Sequence, residues 1–373
     1  MADNKDKKVL NVPALRFPEF TEEWESVLLE DVAEFQKKRI SSDLLNNSNY
    51  ISTENILQNF GGVQNSISIP ANTNVIEYQR GDVLLSNIRP YLKKVWLSDR
   101  HGGCSADVFV LRGNQCERRF LYYVIASDRF INFVMSGAKG VKMPRGDKSQ
   151  MEKFTFFIPT NVEQKKIAMF LSMLDERIRL QNKIIEKLET LIKGIRDYVL
   201  NNKLQNITKK KLGELCTITT GKLDANAMKS EGLYPFFTCA EEVYRIDSFA
   251  FDTEALLVSG NGANLGYIHY YKGKFNAYQR TYVLSNFIED IHYIQIYLEA
   301  YLHKRIALEK STSNTPYIVL ATLAEMPIII PNIKIQKDIS NKILILKSKL
   351  ITEIHIRNCY KDMRQFLLSQ MFI

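Results

Sequence analysis

FFIPTNVEQKKIAMFLSML at residues 156–174 and IIIPNIKIQKDISNKILIL at residues 328–346 follow one pattern. Pro159 answers to Pro331, Gln164 to Gln336 and Ile167 to Ile339, all at an offset of 172. Upstream the register holds to within one residue: GDVLLS at Gly81–Ser86 matches EALLVS at Glu254–Ser259, and Val110-Leu111 matches Val283-Leu284. Three separated segments keeping nearly one offset identify a diverged tandem duplication, and so two structural units of the same kind.

Each quoted segment opens a long helix. From Glu163 to Asn201 there is no proline, and Ile167, Leu171, Leu174, Ile178, Ile185, Leu188, Ile192, Ile195 and Val199 fall at alternating steps of four and three. Gln181 fills the single gap, so the pattern is a heptad seam. From about Ile335 the same rows return at Ile339, Ile343, Leu346, Leu350, Tyr360, Leu367 and Met371, interrupted by Glu353, Arg357 and Arg364. Two such helices, each ending a repeat, are expected to pack antiparallel within one chain.

Ahead of each helix lie short apolar runs separated by Gly, Asn, Ser and Pro, which read as strands with turns between them. One helix is expected late in each, RRFLYYVIASDRFINFVM at 118–135 and HYIQIYLEAYLHKRIALEK at 292–310. The fold class is therefore α+β: two pseudosymmetric α/β domains separated by two long antiparallel coiled-coil helices. The expected bounds are 1–157 and 203–329 for the domains and 158–202 and 330–373 for the helices.

The 373 residues are 45% hydrophobic and 24% charged, a globular composition, and the net charge of +9 suits a polyanionic partner. Five cysteines without a C-x-x-C pair argue against a zinc site or a disulfide framework and for a reducing, cytoplasmic setting. The N-terminus has no apolar signal core, and the apolar runs are too short to span a bilayer, so no membrane role is expected. Catalytic signatures are missing as well. There is no G-x-x-x-x-G-K-[ST] loop, no H-E-x-x-H and no Asn-Pro-Pro-aromatic sequence. SGNGANLG at 259–266 lacks the following Lys-Ser/Thr and reads as a turn after a strand. Asp252 and Glu254 read as a strand-entry turn and not as a nuclease pair.

LRFPEFTEEWESVLLEDV at 15–32 resembles the entry of specificity subunits of type I restriction-modification systems, as does IPTNVEQKKIAMFLSMLDERI at 158–178. TTGKLDANAMKSEGLYPFFTCAEEVYRIDSF at 219–249 and LLVSGNGANLGYIHYYKGKFNAYQRTYVL at 256–284 are similar to that family's second half. The second repeat departs from the pattern at Ile335, where the family has Glu before Gln. The resemblance implies two target-recognition domains and two helical spacers in a chain without a catalytic site. It also implies partners: double-stranded DNA, two methyltransferase subunits and two restriction subunits. S-adenosylmethionine, ATP and Mg2+ belong to those subunits and none to this chain. A coiled-coil scaffold whose end domains bind proteins is the alternative.

Reading DNA needs cations for phosphates and amide, guanidinium or hydroxyl groups for base edges. In the first repeat SNIRPYLKKVW offers Arg89, Tyr91, Lys93 and Lys94, and SGAKGVKMPRGDKSQ offers Lys139, Lys142, Arg145 and Lys148 against Asp147 alone. QKKR at 36–39 is a further positive run, read as a solvated face. In the second repeat the loop KSTSNTPYIVL, equivalent to the second of these, offers Asn314 and Tyr317, with Lys222, Asn261, Asn264 and Arg280 as further candidates.

Overall fold

The computed structural model describes residues 11–140, 142–200, 207–308 and 317–373. The first repeat runs β1 (Glu25–Leu28), α1 (Leu29–Val32), β2 (Ala33–Phe35), β3 (Arg39–Ser41), β4 (Tyr50–Ile51), β5 (Asn74–Tyr78), β6 (Val83–Ser86), β7 (Val95–Leu97), β8 (Gly102–Cys104) and β9 (Val108–Gly113). It continues through α2 (Arg118–Ala126), α3 (Asp128–Ser136), α4 (Lys148–Glu152) and β10 (Thr155–Ile158) into the long helix α5 (Asn161–Leu200). The second repeat runs β11 (Thr208–Lys211), α6 (Leu212–Leu215), β12 (Thr217–Thr220), β13 (Tyr234–Phe237), β14 (Tyr244–Ile246), β15 (Phe251–Ser259), β16 (Ile268–Ala277) and β17 (Thr281–Ser285). It closes with α7 (Ile291–Leu308), α8 (Leu320–Ala324), β18 (Pro327–Ile330) and α9 (Ile333–Gln370).

The duplication is explicit in the sheets. The first repeat orders four antiparallel strands β2-β9-β6-β7, and the second orders β12-β17-β15-β16 in the same succession. β4 then lies parallel to β8, as β13 lies parallel to β16. Where the first repeat breaks between β7 and β8, the ten-residue β16 continues unbroken. The pairs β1–β10 and β11–β18 tie the start of each repeat to its end.

The apolar run Val83-Leu84-Leu85 is buried on both faces. Val83 and Leu85 join a cluster with Phe120, Ile125 and Phe130, while Leu84 joins another with Tyr78, Trp96 and Val110. Leu256 and Val258 against Leu257 repeat the division in the second repeat. A strand covered on both sides reads as a continuous apolar run, with no alternation to betray it.

By contact the chain divides into two compact units, residues 1–182 with 356–373, and residues 183–355. In the first, Ile167, Leu171 and Leu174 of α5 share a core with Leu367, Leu368 and Met371 of α9. In the second, Ile195 of α5 packs on the cluster holding Ile339 and Ile343 of α9. Each unit thus sets the start of one long helix beside the end of the other, so the pair is antiparallel. The forty residues of α5 make a helix about 60 Å long. Its seam residues Ile167, Leu171, Leu174, Gln181, Ile185, Leu188 and Ile192 are buried.

Two expectations are corrected. The single helix over 118–135 is two, because Ser127 is extended (φ −70°, ψ 150°) and its hydroxyl accepts the Phe130 N–H at 3.2 Å. A serine followed by aspartate offers the backbone an alternative to continuing the helix. Asp252 and Glu254 lie inside β15 and not in an entry turn, because the long β16 pairs with that strand from Phe251 to Val258. There Tyr270 Oη donates to Glu254 Oε1 at 2.6 Å.

The second repeat's departure at Ile335 also has a physical reason. Its counterpart Glu163 is fully buried and takes a two-pronged ion pair from Arg16, with both contacts at 2.7 Å. Ile335 instead packs on the second unit's core. Among the described residues, no helix is long and apolar enough to cross a membrane.

Candidate nucleic-acid interface

After β6 the chain turns through Asn87-Ile88-Arg89 into a single 3-10 turn at Pro90–Leu92, and both flanking residues are left-handed: Arg89 (φ 52°, ψ 64°) and Lys93 (φ 51°, ψ 44°). A residue before proline avoids the helical regions, and a non-glycine residue in such a conformation costs about 1–3 kcal/mol. The surroundings hold it. The Arg89 N–H donates to the Pro144 carbonyl at 2.8 Å, and the Asn59 and Phe60 N–H groups donate to the carbonyls of Leu92 and Lys93. The Arg89 Nε is buried without a hydrogen-bond partner among the described residues. Tyr91, at the tip, is 48% exposed.

The second basic loop folds against the first. Lys139 and Arg145 exchange both backbone hydrogen bonds at 2.9 Å, closing a small hairpin with Lys142 exposed at its end. Ile88 bridges Arg145, and the Gly146 N–H reaches the Asn87 carbonyl at 3.2 Å. The Asn87 N–H in turn reaches the Asp107 carbonyl at 2.8 Å, and the Asp107 carboxylate meets the Arg145 guanidinium at 3.1 Å. Asp107 and Asn87 had escaped sequence reading. Their one signal was the repeat offset, which places Asp107 opposite Arg280.

The structure divides the first-repeat candidates by partner. Lys93 pairs with Asp128, Lys94 donates to the Thr53 carbonyl at 2.6 Å, and Lys148 meets Glu152 at 3.5 Å while lying over the Phe35 ring. Lys139 pairs with Asp147 at 2.7 Å. That bond raises the lysine's pKa and, joined by the Gln150 N–H, lowers the aspartate's.

The second repeat builds the same frame. The Gly260 N–H donates to the Arg280 carbonyl at 2.9 Å and the Ile318 N–H to the Gly260 carbonyl at 2.8 Å, while Asn261 bridges Tyr317. Each contact answers to one in the first repeat at an offset of 172 or 173: Asn87–Asp107, Gly146–Asn87 and Ile88–Arg145. The loop after β12 joins it, since the Gln279 N–H donates to the Leu223 carbonyl at 2.9 Å. Gly221 permits the crossing, because a Cβ there would lie 1.9 Å from the Ala277 oxygen. Lys222, Asn261, Arg280 and Tyr317 are thus brought to one end of the β12-β17-β15-β16 sheet. Lys222, Arg280 and Tyr317 are exposed. Asn264 lies further along the Asn261 loop, its carbonyl accepting the Tyr267 N–H at 3.0 Å. Asn314 lies outside the described residues.

Two copies of one loop frame, each at the end of one sheet in one repeat, agree with what the chain is similar to. Residues 21–190 and 205–357 match the type I restriction modification DNA specificity domain. The chain belongs to that family. A stretch of 132 residues is 43% identical to the type I restriction enzyme EcoDI specificity subunit of Escherichia coli, covering 35% of this chain and 29% of that protein. The crystal structure of a type I restriction-modification system S subunit from M. genitalium is similar over 97% of this chain and 99% of its own, with 17% identity and a TM-score of 0.71. A chain from a structure on complex assembly and conformational transition of the type I R-M system covers 93% of this one and 97% of itself, at 20% identity and a TM-score of 0.53. At these identities the two structures speak for the fold of this specificity-domain chain alone.

Proposed function

We propose that this chain is the DNA-specificity subunit of a type I restriction-modification complex, with no catalytic site of its own. Residues 1–157 and 203–329 each read one part of a bipartite DNA target, and residues 158–202 and 330–373 space them. The target is asymmetric, because the two loop frames carry different side chains. Arg89, Tyr91, Lys93, Lys94, Lys139, Lys142, Arg145 and Lys148 serve one half-site, and Lys222, Asn261, Asn264, Arg280, Asn314 and Tyr317 the other. Two methyltransferase and two restriction subunits bind the chain in the cytoplasm and supply S-adenosylmethionine, ATP and Mg2+ chemistry.

The observation that carries this reading is the duplicated loop frame, held by equivalent main-chain bonds but lined by different side chains. A rigid frame with variable side chains is what sequence readout asks for. Mapping genomic methylation in a host with and without the chain, beside its methyltransferase subunit, tests it. A split motif present only with the chain is expected; methylation independent of the chain, or turnover by the isolated chain, refutes it.

A further inference from the structure

Resting on that reading, we infer that Arg145 and Tyr317 are equivalent base-reading positions, one per half-site, and that Asp107 orients Arg145 for this task. The two residues occupy the same place in the duplicated frame. Ile88 bridges Arg145 and Asn261 bridges Tyr317, and in each repeat the following N–H, of Gly146 or Ile318, donates to the loop after the central strand. Both side chains still face solvent: the Arg145 side chain is 53% exposed and Tyr317 51%.

Orientation separates base readers from phosphate binders. A phosphate contact needs only a nearby cation, whereas a base edge needs a donor held at fixed direction. The Arg145 backbone is held on both sides, by Lys139 across the hairpin and by Ile88. Its guanidinium meets the Asp107 carboxylate as an ion pair, Nη1 to Oδ1 at 3.1 Å, which biases its direction. A carboxylate 3.1 Å away also repels phosphate, so the pair suits a neutral base edge better than the DNA backbone. An exposed ion pair of this kind adds little to stability, which leaves geometry as its contribution. At the equivalent place Tyr317 presents a phenol and no charge. Its neighbour Ile318 is fixed twice, its N–H donating to Gly260 and its carbonyl accepting the Tyr282 hydroxyl at 2.8 Å.

The test uses the full chain assembled with its methyltransferase subunit, and a DNA library randomised in either half-site. Arg145→Ala is expected to lose about 5- to 150-fold discrimination at one base pair of one half-site, the worth of a bidentate contact, with the other half-site unchanged. Arg145→Lys is expected not to restore it, because an ammonium lacks the planar fork. Asp107→Asn is expected to relax the same base pair while strengthening binding to all sequences. Tyr317→Ala is expected to act on the other half-site alone. Thermal midpoints equal to that of the unsubstituted chain establish that these exposed changes leave the fold intact. The inference is overturned if Arg145→Ala weakens all sequences alike and lowers the salt slope by about one, the mark of a phosphate contact. It is equally overturned if either half-site responds to both substitutions, or to neither. If the unsubstituted complex yields no split motif, the proposed function fails first and the inference with it.

Discussion

Gln164 and Gln336 perform the same task at the start of α5 and of α9. Each carboxamide oxygen accepts a backbone N–H, from Glu117 at the start of α2 at 2.9 Å or from Asp290 just before α7 at 3.0 Å. Each Nε2 donates at 2.8 Å to the proline carbonyl five residues earlier, Pro159 or Pro331. Both side chains are buried, at 3% and 0% exposure. One amide therefore fastens each long helix to the domain before it.

Replacing Gln164 by Leu leaves the Glu117 N–H and the Pro159 carbonyl without this partner. Each orphaned group costs about 1–3 kcal/mol, so roughly 2–6 kcal/mol of unfolding stability is expected to be lost. Gln336→Leu is expected to match it. Chemical denaturation of the two variants measures both, and a loss below about 1 kcal/mol would show the bonds to be dispensable.

Asp175 and Arg364 join α5 to α9 inside the first unit, Nε to Oδ1 at 2.5 Å, with Tyr123 Oη donating to the same carboxylate at 2.8 Å. Arg364 lies over the Phe60 ring at 4.4 Å and is 7% exposed. Burial disfavours its charge, but Tyr122, Asp175 and Tyr123 outweigh it and its pKa is raised. Asp175→Ala strands that buried charge and is expected to destabilise the fold by roughly 3 kcal/mol. The paired change Asp175→Leu with Arg364→Met is expected to recover most of the loss. A double-mutant cycle by urea unfolding reads the coupling.

Acid weakens the first repeat through Glu77. Lys38 at 2.8 Å and His101 at 3.0 Å hold its carboxyl below the ordinary value of 4.5, Lys38 more strongly, against the opposing effect of burial. A folded pKa below the unfolded one adds stability that is complete above the unfolded value and is lost as pH falls through the folded one. Urea midpoints measured from about pH 6 to about pH 3 are expected to fall less steeply in Glu77→Gln than in the natural chain. Identical slopes would contradict it.

Lys142 is exposed within the hairpin that Lys139 and Arg145 close, and the proposed reading gives it a phosphate and not a base. Lys142→Ala is expected to weaken binding to all DNA sequences alike. The slope of log affinity against log salt is expected to drop by about one. A sequence-dependent loss in a salt titration would reassign it to readout.

Exchanging residues 1–157 for the matching segment of a relative is expected to change one half of the target and preserve the other. Methylation mapping of the hybrid checks this. If both halves change together, the repeats do not read DNA independently.

Sequence alone determined the duplication, both long helices and their seams, because those depend on local periodicity and on a register kept over three segments. Ile167, Leu171, Leu174, Ile185, Leu188 and Ile192 were read from spacing and are buried. The loops SNIRPYLKKVW and SGAKGVKMPRGDKSQ were legible as basic and irregular. Tertiary structure decided which of their charges are paired. Lys93 meets Asp128, Lys94 meets Thr53 and Arg145 meets Asp107 only because the fold brings distant segments together. It also decided that Asn87 and Gly260 form the same junction, since the matching backbone hydrogen bonds join segments distant in sequence. Periodicity is written in side chains along one segment. Junctions between segments are held by the main chain, which every sequence shares, and only the folded molecule shows where they fall.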